Sequence, residues 1–82
     1  MSWEDVGFVK ASRYRLQILN LLSDGPKTPR ELVDSLKIHF SQVSFILNQL
    51  NERKMVECLN PEAVKGKLYH LTEKGKDILT KV

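Results

Sequence analysis

Along the first two thirds of the chain apolar residues return every three or four positions, and after Lys54 they alternate. The first period belongs to amphipathic helices, the second to strands. Residues 3–10 read as a short helix or turn holding Trp3, Val6, Phe8 and Val9, with Gly7 weakening its continuity. Ser12 stands where a helix cap belongs, and "RYRLQILNLLSDG" behind it puts Ala11, Tyr14, Ile18, Leu21 and Leu22 on one face. Gly25-Pro26 ends that helix. "TPRE" is the clearest start signal: Thr28 can cap, Pro29 suits the first helical position, and Glu31 can reach back to close a capping box. Leu32, Val33 and Leu36 face inward from this short helix, which must end near Lys37 because another begins at once.

That next helix is "KIHFSQVSFILNQL". At about 100° per residue, Phe40, Val43, Ile46, Leu47 and Leu50 fall within an arc of roughly 120° and predict a core-facing stripe. Ser41, Phe45, Asn48 and Glu52 lie opposite. Gln42 and Gln49 border one edge of that outer face, Ser44 and Asn51 the other. After Lys37 this stretch has no Lys or Arg, so its outer face is polar but uncharged, with a phenylalanine in the middle.

"MVECL" alternates, with Val56 and Cys58 on one side, and "LYHL" alternates again, with Tyr69 and Leu71 together. The turn-rich "NPEAVKGK" between them makes a hairpin whose tip carries Lys65 and Lys67 around Gly66. A last helix starts at Thr72, with Gly75, Ile78, Leu79 and Val82 on one face. Glycine in a helix interior costs about 1 kcal/mol against alanine, so Gly75 predicts a close approach to a neighbour.

Composition changes this picture in two places. Eighty-two residues make one domain, 1–82, with a small core that a second copy would help to stabilise. The formal charge of +3 is unevenly placed: residues 1–63 hold eight basic and eight acidic side chains, so the surplus lies in residues 64–82. A lysine cluster of this kind favours a polyanionic partner. No apolar run reaches the ~18 residues of a membrane span. The beginning of the chain lacks the pattern of a secretory signal, which predicts a cytoplasmic protein. The single cysteine, Cys58, is expected to be a small buried hydrophobe in a reducing compartment.

The order is helix, capped helix, tight turn, helix, hairpin, helix. This predicts an α+β, mainly helical chain with a winged helix-turn-helix: three-helix core, β-hairpin wing and C-terminal helix. "SRYRLQILNLL", "KTPRELVDSLKIHFSQVSFILNQLNERKMVECL" and "KGKLYHLTEKGKDIL", with its "YxLTxxG" junction, resemble compact archaeal-type winged helix-turn-helix regulators of the MarR and ArsR kind over residues 12–79. The resemblance implies that the uncharged helix is a recognition helix.

Ser41, Gln42, Asn48 and Gln49 are then candidate base readers, since Gln and Asn can pair with adenine and Ser can serve either way. Phe45 stands where similar proteins often have Arg, and could meet a thymine methyl or pack on another chain. Lys27, Thr28, Arg30, His39, Ser44, Lys65 and Lys67, with the amides at helix starts, are candidate phosphate contacts. Trp3, Val6, Phe8, Val9 and Leu16 are candidate dimer contacts within or beside the N-terminal segment 1–11; Val9 and Leu16 leave the main core face if one helix runs back through them. His39, His70 and Cys58 lack the spacing of metal ligands, no cofactor is expected, and nothing suggests an enzyme. The partners expected are double-stranded DNA and a second copy. The rival reading is a winged helix used for protein contact in transcription or replication machinery.

Overall fold

In the computed structural model, which describes residues 3–82, the elements run α1 (Trp3–Lys10), α2 (Arg13–Leu22), α3 (Pro29–Leu36), α4 (Phe40–Glu52), β1 (Val56–Cys58), β2 (Tyr69–Leu71) and α5 (Glu73–Leu79). Helix α2 sits at the centre and touches α1, α3, α4, α5 and β2. Its fully buried residues are Ile18, Leu19 and Leu22, with Tyr14, Leu16 and Leu21 half-buried. Ala11 is exposed, not on the buried face, because the helix begins only after Ser12.

That break decides the fate of the N-terminal segment. Ser12 is extended and its side chain accepts the Arg15 amide, so α1 and α2 are two helices rather than one. The break turns α1 so that Val6 and Val9 enter the chain's own core, at 4% and 0% exposure. Both are thereby corrected as dimer contacts, since neither has surface left to offer. Phe8 is half-buried and held between two cations: the Arg15 and Arg53 guanidinium groups lie 3.7 and 3.8 Å from its ring centre. Asp5 is buried beside it. Its carboxylate accepts Arg53 Nη1 at 2.9 Å on one oxygen and Lys74 Nζ at 2.9 Å on the other. The hydrogen bond from Lys74 is the main reason the Asp5 carboxyl sits below its ordinary pKa, against the opposing effect of burial and with help from Arg53.

The capping box on α3 forms as expected: Thr28 N–H donates to Glu31 Oε1 at 2.9 Å and Glu31 N–H to Thr28 Oγ1 at 3.2 Å. Lys37 ends α3 in the left-handed region, φ 59°, which turns the chain straight into α4. The buried face of α4 is Val43, Ile46, Leu47 and Leu50. Phe40 is not part of it: at the first helical position it projects past the edge of the core and is 58% exposed. Helix α4 closes with paired backbone bonds, Met55 N–H to Leu50 O and Lys54 N–H to Asn51 O, each 3.0 Å. Lys54 takes the left-handed position at φ 66°, and fully buried Met55 packs inward with Leu50.

The hairpin is antiparallel with Val56 opposite Leu71, Glu57 opposite His70 and Cys58 opposite Tyr69. His70 is half-buried and lies 3.1 Å from Glu57 across the ladder. Cys58 is half-buried as well, because it sits on the last strand residue before the wing opens. A single residue adds a third lane to the sheet: Lys27 and Tyr69 exchange two backbone hydrogen bonds of 2.9 Å. Thr72 joins the last pieces. Its hydroxyl donates to Lys54 O at 2.6 Å and accepts the Gly75 amide at 3.1 Å, while its own amide donates to Met55 O at 3.1 Å. Helix α5 therefore lies directly on the Met55 backbone, and a side chain at Gly75 would collide with the Met55 carbonyl oxygen. No helix among the described residues is long and apolar enough to cross a membrane.

Candidate nucleic-acid interface

The outer face of α4, the start of α3 and the hairpin loop share one side of the molecule. Between them runs an open groove of about 470 Å³. Phe40, Ser44 and Asn48, spaced one helical turn apart, form its α4 wall. Val64, Lys65, Gly66 and Lys67 form the opposite wall, and Thr28, Pro29, Arg30 and Tyr69 close the end. Burial is the main reason the Tyr69 phenol is pushed above its ordinary pKa, with Cys58 adding to it, so the hydroxyl stays neutral at any physiological pH.

Asn60 shapes the hairpin loop. Its Oδ1 accepts the Leu68 amide at 2.7 Å and the Cys58 thiol at 3.6 Å, and its Nδ2 donates to Gly66 O at 3.2 Å. The backbone reverses at Gly66 with φ 68°, a conformation that favours glycine. This latch holds Lys65 and Lys67 at the groove. The other three lysines of the basic tail are each engaged by an acid: Lys74 by Asp5, Lys76 by Glu73 at 3.7 Å and Lys81 by Asp77 at 3.7 Å. Neither Lys65 nor Lys67 forms an ion pair among the described residues.

The structure thus brings Thr28, Arg30, Ser44, Asn48, Lys65 and Lys67 together. Ser41 and Phe45 stand exposed on the adjoining outer face of α4, Phe45 at 63%. His39 is exposed at the α4 cap and its amide donates to Gln42 Oε1 at 3.1 Å, which occupies one acceptor position of the Gln42 side chain and leaves its amide nitrogen to donate elsewhere. Lys27 is half-buried, with its backbone bound to Tyr69.

Two expectations need correction. Thr28 is a poor phosphate ligand: its amide and hydroxyl are both bonded to Glu31, whose exposed carboxylate would repel a second anion. The Thr28 backbone hydrogen bond also holds the Glu31 carboxyl below its ordinary pKa, so that charge persists. Gln49 is half-buried and lies with Phe8, Glu52 and Arg53, away from the groove.

Sequence reasoning missed Phe40, Val64 and Tyr69 as groove residues and Asn60 as the latch. Asn60-Pro61 at the head of the loop was the available signal, since Asn in a turn bonds nearby backbone.

Residues 13–57, more than half the chain, match the model of a family described as bacterial regulatory protein, arsR family. The chain belongs to that family. Solved structures place its fold as well. It is similar to the adhesin competence repressor AdcR of Streptococcus pyogenes, with TM-score 0.77 at 22% identity over 96% of this chain and 63% of that one. It is similar to wild-type MarR of E. coli, with TM-score 0.72 at 28% identity over 80% of this chain and 50% of that one. A mutant MarR of E. coli complexed with operator DNA gives TM-score 0.78 at 25% identity over 95% of this chain and 57% of that one. The chain therefore spans less than two thirds of each of these proteins. No curated protein matches it in sequence. The architecture is a winged helix-turn-helix, with α3–α4 as the helix-turn-helix and β1–β2 as the wing.

Proposed function

We propose that this chain is a sequence-specific regulator of transcription that binds double-stranded DNA, seating α4 in the major groove and the wing on phosphates. The observation that carries the reading is the meeting, at one groove, of two unpaired wing lysines and an uncharged polar helix face. A helix fits the major groove, where base edges present donors and acceptors that Ser41, Asn48 and the Gln42 amide can address. Lys65, Lys67, Arg30 and Lys27 supply backbone anchoring, which fixes register without reading sequence. A similar protein, a mutant MarR of E. coli, is complexed with operator DNA, which supports the DNA-binding reading. In this reading the chain acts in the cytoplasm by binding alone, with residues 1–82 folding as one winged-helix unit.

A symmetric pair suits this role, because two recognition helices about 34–36 Å apart meet successive major grooves. Trp3, 73% exposed, and Leu16 remain as candidate contacts for the second copy. Exposure of Phe40, Phe45 and Val64 favours the alternative, a protein-contact module. Titration of random duplex DNA at several salt concentrations separates the two. Four phosphate contacts per monomer predict a slope of log affinity against log salt of about −3.6, doubled in a dimer. A flat slope, or no binding at low salt, refutes the DNA reading.

A further inference from the structure

Phe45 is a large apolar side chain that the fold leaves unused. It is 63% exposed, and it is absent from the apolar residues packed against the core. The inward arc of α4 is already filled by Val43, Ile46, Leu47 and Leu50. Phe45 belongs to the outward stripe, about 40° around the axis from Ser41 and about 60° from Asn48. Both lie on the same side of it around the axis, but along the axis its ring stands between a hydroxyl one turn before and a carboxamide nearly one turn after, with no charge on that stripe before Glu52.

The major groove offers one apolar group on a base edge, the C5-methyl of thymine. Asn48 beside the ring has the geometry to pair with adenine, the base opposite thymine. The wing cations Lys65 and Lys67, without an ion pair among the described residues, line one groove with Asn48, next to the stripe that carries Phe45, and complement a polyanion rather than a second basic chain. We propose that Phe45 is a specificity-determining residue that reads thymine methyl groups and biases the chain toward sites rich in A·T pairs. The proposal rests on the DNA-binding reading above and sharpens it.

The test starts from a duplex selected from a random library by the wild-type chain. Deoxyuridine then replaces thymine one position at a time, which removes the methyl and leaves base pairing intact. At one or two positions the wild type should lose affinity about fourfold, the worth of one buried methyl. Phe45→Ala should show no such loss at those positions, and Phe45→Leu should keep part of it. The ring is exposed, so both variants should keep the wild-type circular dichroism spectrum. Indifference of the wild type to every thymine methyl, or an equal loss in Phe45→Ala, overturns this proposal and leaves DNA binding standing. Failure to bind any duplex in a salt-dependent way overturns both. Dissociation of an oligomer of the free protein by Phe45→Ala would assign the ring to a second copy and also overturn the proposal.

Discussion

Gly75→Ala tests the join between α5 and the rest of the fold. In an open helix this change stabilises by about 1 kcal/mol, because glycine loses more backbone freedom on folding. Here the new methyl would meet the Met55 carbonyl oxygen at less than contact distance and stand 3.0 Å from Leu71 Cδ2. The carbonyl cannot simply swing aside. It accepts the Thr72 amide at 3.1 Å, and the neighbouring Lys54 carbonyl accepts the Thr72 hydroxyl at 2.6 Å. Moving α5 outward would stretch those bonds and the Thr72 cap on Gly75. Overpacking costs roughly 1–3 kcal/mol and a weakened hydrogen bond about 1 more. After subtracting the propensity gain, the net loss is about 1–3 kcal/mol. For a chain of this size each kcal/mol moves Tm by roughly 4–8 °C. Thermal and urea unfolding followed by far-ultraviolet circular dichroism would read it. Gly7→Ala is the internal control: Gly7 is helical, exposed, and has nothing within 4 Å of an added methyl, so it should gain up to about 1 kcal/mol. If Gly75→Ala were neutral or stabilising like Gly7→Ala, the close approach of α5 to Met55 would be wrong.

Three further substitutions follow from the geometry. Asp5→Asn should destabilise by about 1–2 kcal/mol near neutral pH, a modest figure because Arg53 and Lys74 keep 40% and 41% of their side-chain surface in water. The folded pKa of Asp5 is lowered, so its contribution is present above the unfolded value of about 3.8 and is lost as pH falls through the folded pKa; urea midpoints of the two proteins should converge in that acid range. Lys54→Gly should stabilise by about 1 kcal/mol in the same unfolding assay, since it relieves a left-handed backbone at φ 66° without touching the bonds that close α4. Asn60→Ala should speed hydrogen exchange of the Leu68 amide about tenfold or more, and weaken duplex binding across all sequences alike, while leaving the unfolding midpoint nearly unchanged.

What could be read from the sequence was local. The capping box at Thr28 and Glu31 depends on residues three apart, and the change from helical to alternating period after Lys54 needs only a short window. Gly75 was legible because a glycine inside a helical pattern requires a reason, and Met55 supplies it. The failures involve partners distant in sequence or a backbone angle no pattern encodes. Asp5 finds Arg53 and Lys74 across most of the chain, so an acid near the beginning gave no sign of being buried. The fate of Val6 and Val9 turned on whether Ser12 merely caps α2 or also breaks it from α1. Phe40 has the right phase for the core stripe of α4 but lies one turn beyond the end of the core. Within the candidate site the polar stripe was legible by phase. The commitment of Thr28 to Glu31 follows from the same capping box, which could have removed it from the phosphate contacts.

Charge placement ties these pieces to the proposed role. Arg15, Arg53 and Lys74 are drawn into the clamp on α1, through Phe8 and Asp5, and so serve the fold. Arg30 holds Asp34 only loosely, at 3.9 Å with both side chains largely in water, so it can exchange that partner for another anion at little loss. Among the described residues, Lys65 and Lys67 have no acid partner to give up. Of the groove's own cations, Arg30 at the start of α3 and Lys65 and Lys67 on the wing are therefore free to meet phosphate, beside a helix α4 that brings none. On such a surface, attraction and discrimination belong to different elements. Salt should weaken what the wing does and leave what α4 distinguishes nearly unchanged, because counterion release scales with phosphate contacts and not with base contacts. The ratio of affinities for preferred and random duplex should accordingly hold steady across salt concentrations that lower both. A ratio that collapsed in parallel with affinity would mean that discrimination resides in the charged residues and not in Ser41, Phe45 and Asn48.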